Sequence, residues 1–539
     1  LLAVCLTANT GCVGHLRNWC KNGFKVGPDY CKPAAPVACD WIDAYDERVR
    51  QEFSDNPAWW TVFNDPVLNG LIEETSSQNL PLRVAGMRVL EARHLRQIAA
   101  GNIFPQFQEG FGQYSRAEVS ENAFPTNRLA GLGFAVPSAV DNWTTGFDAG
   151  WELDVWGRFR RAIEAADANV DASTEDYDAI LVTLIGETAT AYLDYRTAQQ
   201  RLEFAEKNVT IQEGSLEVSE VQFRNGGVTE LDVTQAKTNL QQTRQLLPLF
   251  RTQQRLANNR LCVLTGIPPQ DLSARLGVQP IPFTPADVVV GIPANLIRRR
   301  PDVRKVERQV AAQSALIGVA AADLFPSLSI VGAVQIQAED FSDLFESAST
   351  ASFIAPGFNW NLLNYGRLTN NVRVQEARFQ QLAIAYQQSV LEANAEVENA
   401  IVAFLESQQR LIEVQGAVEA AERSVELGLT QYQDGAIDFN WVFNLQTALT
   451  SQQDQLAEVR GDVAKSLVAV YKSLGGGWQI RLGAGQGMSM PMEMIQPGEV
   501  IPNPAEEIEA SAVQAARKHR TEIADRGEPV RLPLLASKE

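Results

Sequence analysis

The sequence is short of positive charge. Against 65 Asp and Glu it sets 46 Lys and Arg, a formal net charge of −19 over 539 residues. A chain that grips nucleic acid through its phosphates needs a basic surface, so this balance argues for no nucleic-acid partner. Histidine is nearly missing too: His15, His94 and His519 lie scattered, without metal-ligand spacing. There is no G-x-S-x-G elbow and no phosphate loop, so enzymatic chemistry has no visible seat. Past the first residues no run of about 18 apolar residues occurs, which excludes transmembrane helices. A membrane β-barrel passes that test, because its lipid face is spread over alternate residues.

Cysteine is sparse and lopsided, with five of the six before residue 40. The opening LLAVCLTANTGC reads as the end of an apolar export segment running into Cys12. Small residues before that cysteine suit lipoprotein processing, although Asn9 stands where an aliphatic residue is the rule. The expectation is a covalent N-terminal lipid on Cys12, and no other cofactor. Cys20, Cys31, Cys39 and Cys262 match no zinc spacing. In an oxidising periplasm a disulfide among the first three is expected, its pairing left open.

Proline avoids two long stretches, Arg158 to Arg224 and Arg367 to Gln433. In the first, Ile180, Leu184, Ala191, Leu202, Ala205 and Val209 keep a helical period. At about 1.5 Å per residue such a run reaches ~100 Å, which demands lateral packing against other helices. Alanines at 162, 165, 166, 377, 383 and 393 would let neighbours sit close. The turns Asn225-Gly226-Gly227 and Asp434-Gly435 send the chain back as the tips of helical hairpins.

The two stretches are copies. WGRFRRAIEAADANV at 156 aligns with YGRLTNNVRVQEARF at 365, and FRNGGVTELDVTQAKTNL at 223 with YQDGAIDFNWVFNLQTAL at 432. Gly157/Gly366 and Gly226/Gly435 share one offset of 209 residues. Upstream, IAAGNIFPQFQ at 98 aligns with VAAADLFPSLS at 319, an offset of 221. The first copy therefore carries extra residues in the loop-like stretch SENAFPTNRLAGLGFAVPSAVDN. Each Phe-Pro marks a passage from helix to strand, where proline ends the helical ladder.

Between the helices lie strands of one kind. In WTTGFDAGWELDV (143–155) every second residue is apolar or nearly so, and the others are polar or glycine. SLSIVGAVQIQ alternates in the same way through Leu328, Ile330, Val334 and Ile336, and SFIAPGFNWNL through Ile354, Phe358, Trp360 and Leu362. Four strands cannot close a barrel, since single-chain barrels begin at about eight. An open edge in lipid leaves backbone groups unsatisfied, so several chains must share one barrel.

Longer stretches carry a resemblance. FKVGPDYCKP at 24, WWTVFNDPVLNGLI at 59, the Trp156-Gly157-Arg158 junction, LTGIPP at 264 and IPANLIRRRPDVRKVERQVAAQSALIGVAAADLFPSLSI at 292 resemble outer-membrane efflux proteins of the TolC type. The branch they resemble is the NodT-like lipoproteins that serve resistance-nodulation-division pumps. The likeness covers about residues 24 to 478.

It implies a mainly α fold with a membrane β-barrel and an internal duplication. Long helical hairpins would form a periplasmic α-barrel, and four transmembrane strands per chain a trimeric, twelve-stranded β-barrel. Residues 1–12 are then the processing region, and 13–65 an N-terminal extension along the periplasmic belt. The first repeat is 66–280, with a β-hairpin at about 105–155 and a helical hairpin at 157–265. The second is 290–478, with its hairpins at about 326–363 and at 366–474. Residues 480–539 lie outside the likeness, and their composition predicts a flexible tail.

The implied function is a passive efflux duct in the outer membrane: a homotrimer set in outer-membrane lipid, docked to a periplasmic adaptor (membrane fusion protein) and an inner-membrane pump. Two alternatives stay open: a type I protein-secretion channel of the same architecture, and a non-conducting tether across the periplasm.

The resemblance also implies a constriction at the helix tips, where Asp232 and Tyr432 match the family's tip residues and Asp434 and Asp438 stand close by as substitutes for its further aspartates. Where the family often has further aspartates this chain has Trp441 and Asn444. A ring of carboxylates favours cations and holds divalent ions. The plainer reading makes Asp232 and Asp438 helix N-terminal residues favoured by the dipole. Arg298, Arg299 and Arg300 before Pro301 read as a helix start rather than an anion site. In the tail, Met488, Met490, Met492 and Met494 offer soft thioether ligands for Cu(I), against the simpler reading of a flexible segment.

Overall fold

The computed structural model describes residues 19–50 apart from 21, then 57–118, 120, 132, 139–291, 293 and 299–483. Cys12 and the four tail methionines lie outside the described residues. The chain divides into two compact units at Ile480, and the account below concerns the first.

Its element order is doubled. After a short strand β1 (Val49–Arg50) come helices α1 (Pro66–Gln78) and α2 (Leu80–Gly101), and strands β2 (Phe107–Glu118) and β3 (Ala139–Leu153). Helix α3 (Arg158–Arg224) then leads to α4 (Glu230–Arg244) and α5 (Leu246–Leu264). The second round runs β4 (Val288–Val289), α6 (Pro301–Ala322), β5 (Ser327–Ala338), β6 (Thr350–Asn359), α7 (Arg367–Gln433) and α8 (Phe439–Ser473). Helices α2 and α6 have 22 residues each, and α3 and α7 have 67 each.

Both long helices start from a glycine in the left-handed region, Gly157 at φ +79° and Gly366 at φ +81°, which L side chains adopt only under strain. The N-terminal segment straps the first of these junctions. Lys25 lies so close to Gly157 that a Cβ there would come within 2.8 Å of the Lys25 backbone. Arg161, fully buried in α3, donates to the Val26 and Gly27 carbonyls. The return helices differ between copies. α8 is continuous, whereas α4 and α5 are separated at Gln245. Pro248 is the cause: it has no N–H to give the Arg244 carbonyl and its ring crowds that group.

The main core gathers where the N-terminal segment meets the helices. Trp59, Leu68 and Leu71 are buried there with Ile185 and Tyr192 of α3, Leu261 of α5, Phe404 of α7 and Leu467 of α8. Asp65 caps α1 by accepting from the Val67 and Leu68 amides, and its carboxylate also takes the Tyr192 hydroxyl. Arg300 immediately precedes α6, with Pro301 in the first turn, and binds the Ser473 carbonyl and the Asp302 and Glu396 carboxylates. It is a structural helix start. Cys20, Cys31 and Cys39 are free and exposed, so the disulfide expected among them is not formed; Cys262 is a buried free thiol.

The four long strands form one antiparallel sheet in the order β2-β3-β5-β6. Its register settles what sequence alternation left open. Trp151 pairs with Ile330, Phe147 with Val334, Leu153 with Leu328, and Leu328 with Phe358. Partners in antiparallel strands share a face, so the apolar stripes of β3, β5 and β6 merge on one side. β2 and β6 are the sheet's two edges.

The strap at Gly157 separates two otherwise equivalent substitutions. Gly366→Ala should lower stability by about 1–2 kcal/mol, the strain of a left-handed L residue. Gly157→Ala should cost more, because Lys25 must also move. Urea melts in detergent check this, and equal losses would mean that the strap yields freely.

Candidate functional site

The apolar face of the sheet is uncovered. Phe147, Val334, Ile354 and Phe358 stand exposed on it in the single chain. Phe147 lies over Gly110 of β2, its ring 3.2 Å from where a Cβ would be, filling the gap the glycine leaves. Aromatic groups collar the band at both ends. At one end Trp143 lies against Tyr114 (centroids 4.4 Å apart) and Phe341 (5.1 Å). At the other, Trp151 donates to the Ile103 carbonyl (2.9 Å) and Trp360 to the Leu324 carbonyl (3.1 Å).

Trp143 and Trp151 are about 27 Å apart along the strand, which at a barrel tilt of about 40° is a rise of roughly 20 Å, somewhat less than the apolar band of about 25 Å that membrane barrels carry. The opposite face is polar on β3 (Thr144, Asp148, Glu152) and mixed elsewhere, with Phe107 and Phe353 beside Glu109 and Gln335. The collar was missed in the sequence. Its aromatics come from separate strands and a loop, and only the register brings them level.

The second region is the hairpin tips. Gly226 (φ +75°) and Gly435 (φ +73°) turn the chain there. The Gly227 amide reaches the Gln222 carbonyl at 2.8 Å, and the Ala436 amide reaches Gln431 at the same distance. Each turn closes the last helical carbonyls, and then the copies diverge. In α4, Asp232 completes a capping box, accepting from the Thr229 amide (2.9 Å) and hydroxyl (2.8 Å). In α8 the cap position holds Asp438, exposed and without a side-chain capping bond. The counterpart of Asp232 is Trp441, 61 % exposed.

Asp434 sits at the other kind of terminus. It caps the C-terminal end of α7 and is exposed. A carboxylate there opposes the helix dipole, so capping does not account for it. Tyr432 is buried, only 3 % exposed, with its hydroxyl 3.1 Å from Ser219 of α3 and its ring against Phe439 (5.5 Å). In this arrangement its side chain joins two hairpins instead of facing solvent. Burial raises its pKa, the Ser219 hydrogen bond opposes that, and the Asp232 charge adds to it.

Above Tyr432 a buried polar ladder ties the helices together. Gln446 of α8 donates to Ser215 of α3 (2.7 Å) and accepts from Asn239 of α4 (2.9 Å). Asn208 of α3 donates to Gln453 of α8 (2.8 Å), and Arg201 of α3 forks onto Asp454 of α8 (2.6 and 2.9 Å). Polar residues in a long helix read as solvent-facing in sequence, which hid this ladder. Among the described residues no cluster of three or more His, Cys, Asp or Glu could hold a metal ion.

A family model described as outer membrane efflux protein matches residues 71–267 and 292–476, one segment for each structural copy. The chain belongs to that family. This efflux protein is 30% identical to a pyoverdine export outer membrane protein of Pseudomonas putida over 428 residues, covering 78% of this chain and 88% of the relative. It is 29% identical to nodulation protein T of Rhizobium leguminosarum bv. trifolii, over 85% of this chain and 95% of the relative. Among solved structures it resembles the outer-membrane channel OprN, at 32% identity with a TM-score of 0.78, covering 84% of this chain and 99% of that one. It is an outer-membrane efflux channel with a TolC-like fold, a transport protein and not an enzyme.

Gln446→Ala leaves Ser215 and Asn239 without their partner, which should cost about 1–3 kcal/mol. Faster amide exchange confined to the tip half of α3 and α4 is the expected signature. Unchanged exchange would mean that water replaces the amide without loss.

Proposed function

We propose that three copies of this chain close one twelve-stranded barrel, continued by their helices as a periplasmic tunnel, and that the assembly is the passive exit duct of a tripartite efflux system. The observation that carries this reading is the sheet with two open edges and one apolar face. β2 and β6 each leave roughly half their backbone groups without a strand partner. At several kcal/mol for each unsatisfied group in hydrocarbon, a lone chain would forfeit tens of kcal/mol on insertion. Pairing β6 of one copy with β2 of the next removes both edges at once.

The partners of this reading are outer-membrane lipid, a periplasmic adaptor and an inner-membrane pump of the resistance-nodulation-division class. A lipid on Cys12 would hold the N-terminus at the membrane. The pyoverdine-export and solvent-efflux relatives support a small-molecule cargo over an unfolded polypeptide.

The tunnel is closed at the helix tips by carboxylates. Asp434 is the strongest candidate, since its place against the helix dipole has no structural return. Asp232 and Asp438 combine a capping position with charge facing out from the tip. Tyr432 acts from behind, tying α7 to α3 so that the ring stays narrow. Opening trades the Tyr432–Ser219 and Gln446 contacts for water, an exchange of hydrogen bonds with a small net cost.

Single-channel conductance in planar bilayers tests this. The wild type should pass a small cation-selective current that divalent ions block. Asp232→Asn, Asp434→Asn and Asp438→Asn combined should weaken the block and reduce cation selectivity, and Tyr432→Phe should raise the conductance. The same current in every variant would place the constriction elsewhere, and no current from verified trimers would overturn the duct.

A further inference from the structure

We infer that neighbouring copies meet along a seam in which α2 of one lies against α7 of the next, and that this seam is apolar where its counterpart inside the chain is ionic. The inference rests on the shared-barrel reading above. Its basis is the duplication. Helix α6 packs on two long helices, α7 of its own repeat and α3 of the repeat before it. Helix α2 is the counterpart of α6 at an offset of 221 residues, and α7 is the counterpart of α3 at 209. Helix α2 packs on α3 of its own repeat but makes no comparable contact with α7 of the same chain. The contact between repeats, already built once within the chain, continues outward to a second copy.

The surfaces left bare fit that partner. On α2, Leu80, Val84, Met87, Leu95 and Ile98 are exposed at helical spacing. On α7, Val374, Ile384 and Leu391 are exposed along the stretch that α2 would cover.

Inside the chain the same seam joins a small apolar cluster, Ala168 with Ala311 and Ala312, to a run of ion pairs. Arg304 binds Glu175 (2.7 Å), Lys305 binds Asp176 (2.7 Å) and Arg308 lies 3.8 Å from Asp171. Transposed by the two offsets, these pairs become Arg83 with Ile384, Val84 with Ala385, and Met87 with Gln380. Of six charges, only that of Arg83 remains. At these three positions the seam inside a chain is held by charge and the seam between chains by burial of apolar surface; at the Ala168–Ala312 contact the counterparts are Ala377 and the exposed Glu91.

A second contact repeats at the membrane end. Trp156 stacks on Phe325, centroids 4.6 Å apart, and donates to the Pro326 carbonyl at 2.8 Å. The counterpart of Trp156 is Tyr365, 98 % exposed, and that of Phe325 is Phe104, 67 % exposed. Tyr365 of one copy therefore stacks on Phe104 of the next.

Paired cysteines test both contacts in the full-length chain reconstituted in lipid. Val84→Cys with Ala385→Cys, and Phe104→Cys with Tyr365→Cys, should each give a reducible ladder of dimers and trimers after copper–phenanthroline oxidation. The single variants control for Cys20, Cys31 and Cys39. Val84→Lys should weaken the trimer by about tenfold or more, and adding Ala385→Glu should restore it at low salt only. Trimers by native mass with no ladder from either pair would overturn the seam and leave the shared barrel standing. Inserted protein that stays monomeric would overturn both.

Discussion

In hydrocarbon a backbone N–H or C=O has no water to turn to, and the sheet is arranged around that fact. Each inner strand is paired on both sides, and the apolar residues of three strands are carried to one face by register. Among the described residues the sheet has four long strands, and its two edges are open. In the shared barrel proposed above, stability in the membrane would be a property of several chains together. The long helices inherit the same arithmetic, because each strand pair leads into a hairpin that must find neighbours of its own.

Duplication makes this economical, and the departures from it are informative. The copies keep their helix lengths to the residue, 22 and 67. They differ where their neighbours differ. The first tip has a capping box through Asp232 and the second puts Trp441 in that place. The face of α3 toward α6 holds Asp171, Glu175 and Asp176, and the matching face of α7 holds Gln380, Ile384 and Ala385. A repeat that packs on its own chain folds with its partner always present. In the proposed seam a repeat that packs on another copy would depend on encounter, and apolar surface would give that contact its driving force.

Periodicity made much of this legible in advance. The alternation in WTTGFDAGWELDV, the proline-free helices and the constant 209-residue offset are local or repeated signals, and they give strands, long helices and two copies. What depends on pairing was hidden. Nothing local says that Phe147 will cover Gly110, or that Trp143 will meet Phe341. Tyr432 was placed at the constriction by resemblance, yet its burial is decided by Phe439 and Ser219 on other helices. The cysteine pairing failed for the same reason. Nearness in sequence among Cys20, Cys31 and Cys39 is not nearness in space.

Pro248 gives the two return helices different mechanics. Helix α8 runs unbroken for 35 residues, so force applied at its tip is carried to the core around Leu467 as along a rod. On the first copy the bond to the Arg244 carbonyl is missing, and the 15 residues of α4 form a lever about 22 Å long with its pivot at Gln245. A push on that tip can be taken up at the pivot, leaving α5 and the belt undisturbed. In the trimer proposed above the tips would then alternate between stiff and compliant, and a constriction built from them would begin to yield at three of its six tips.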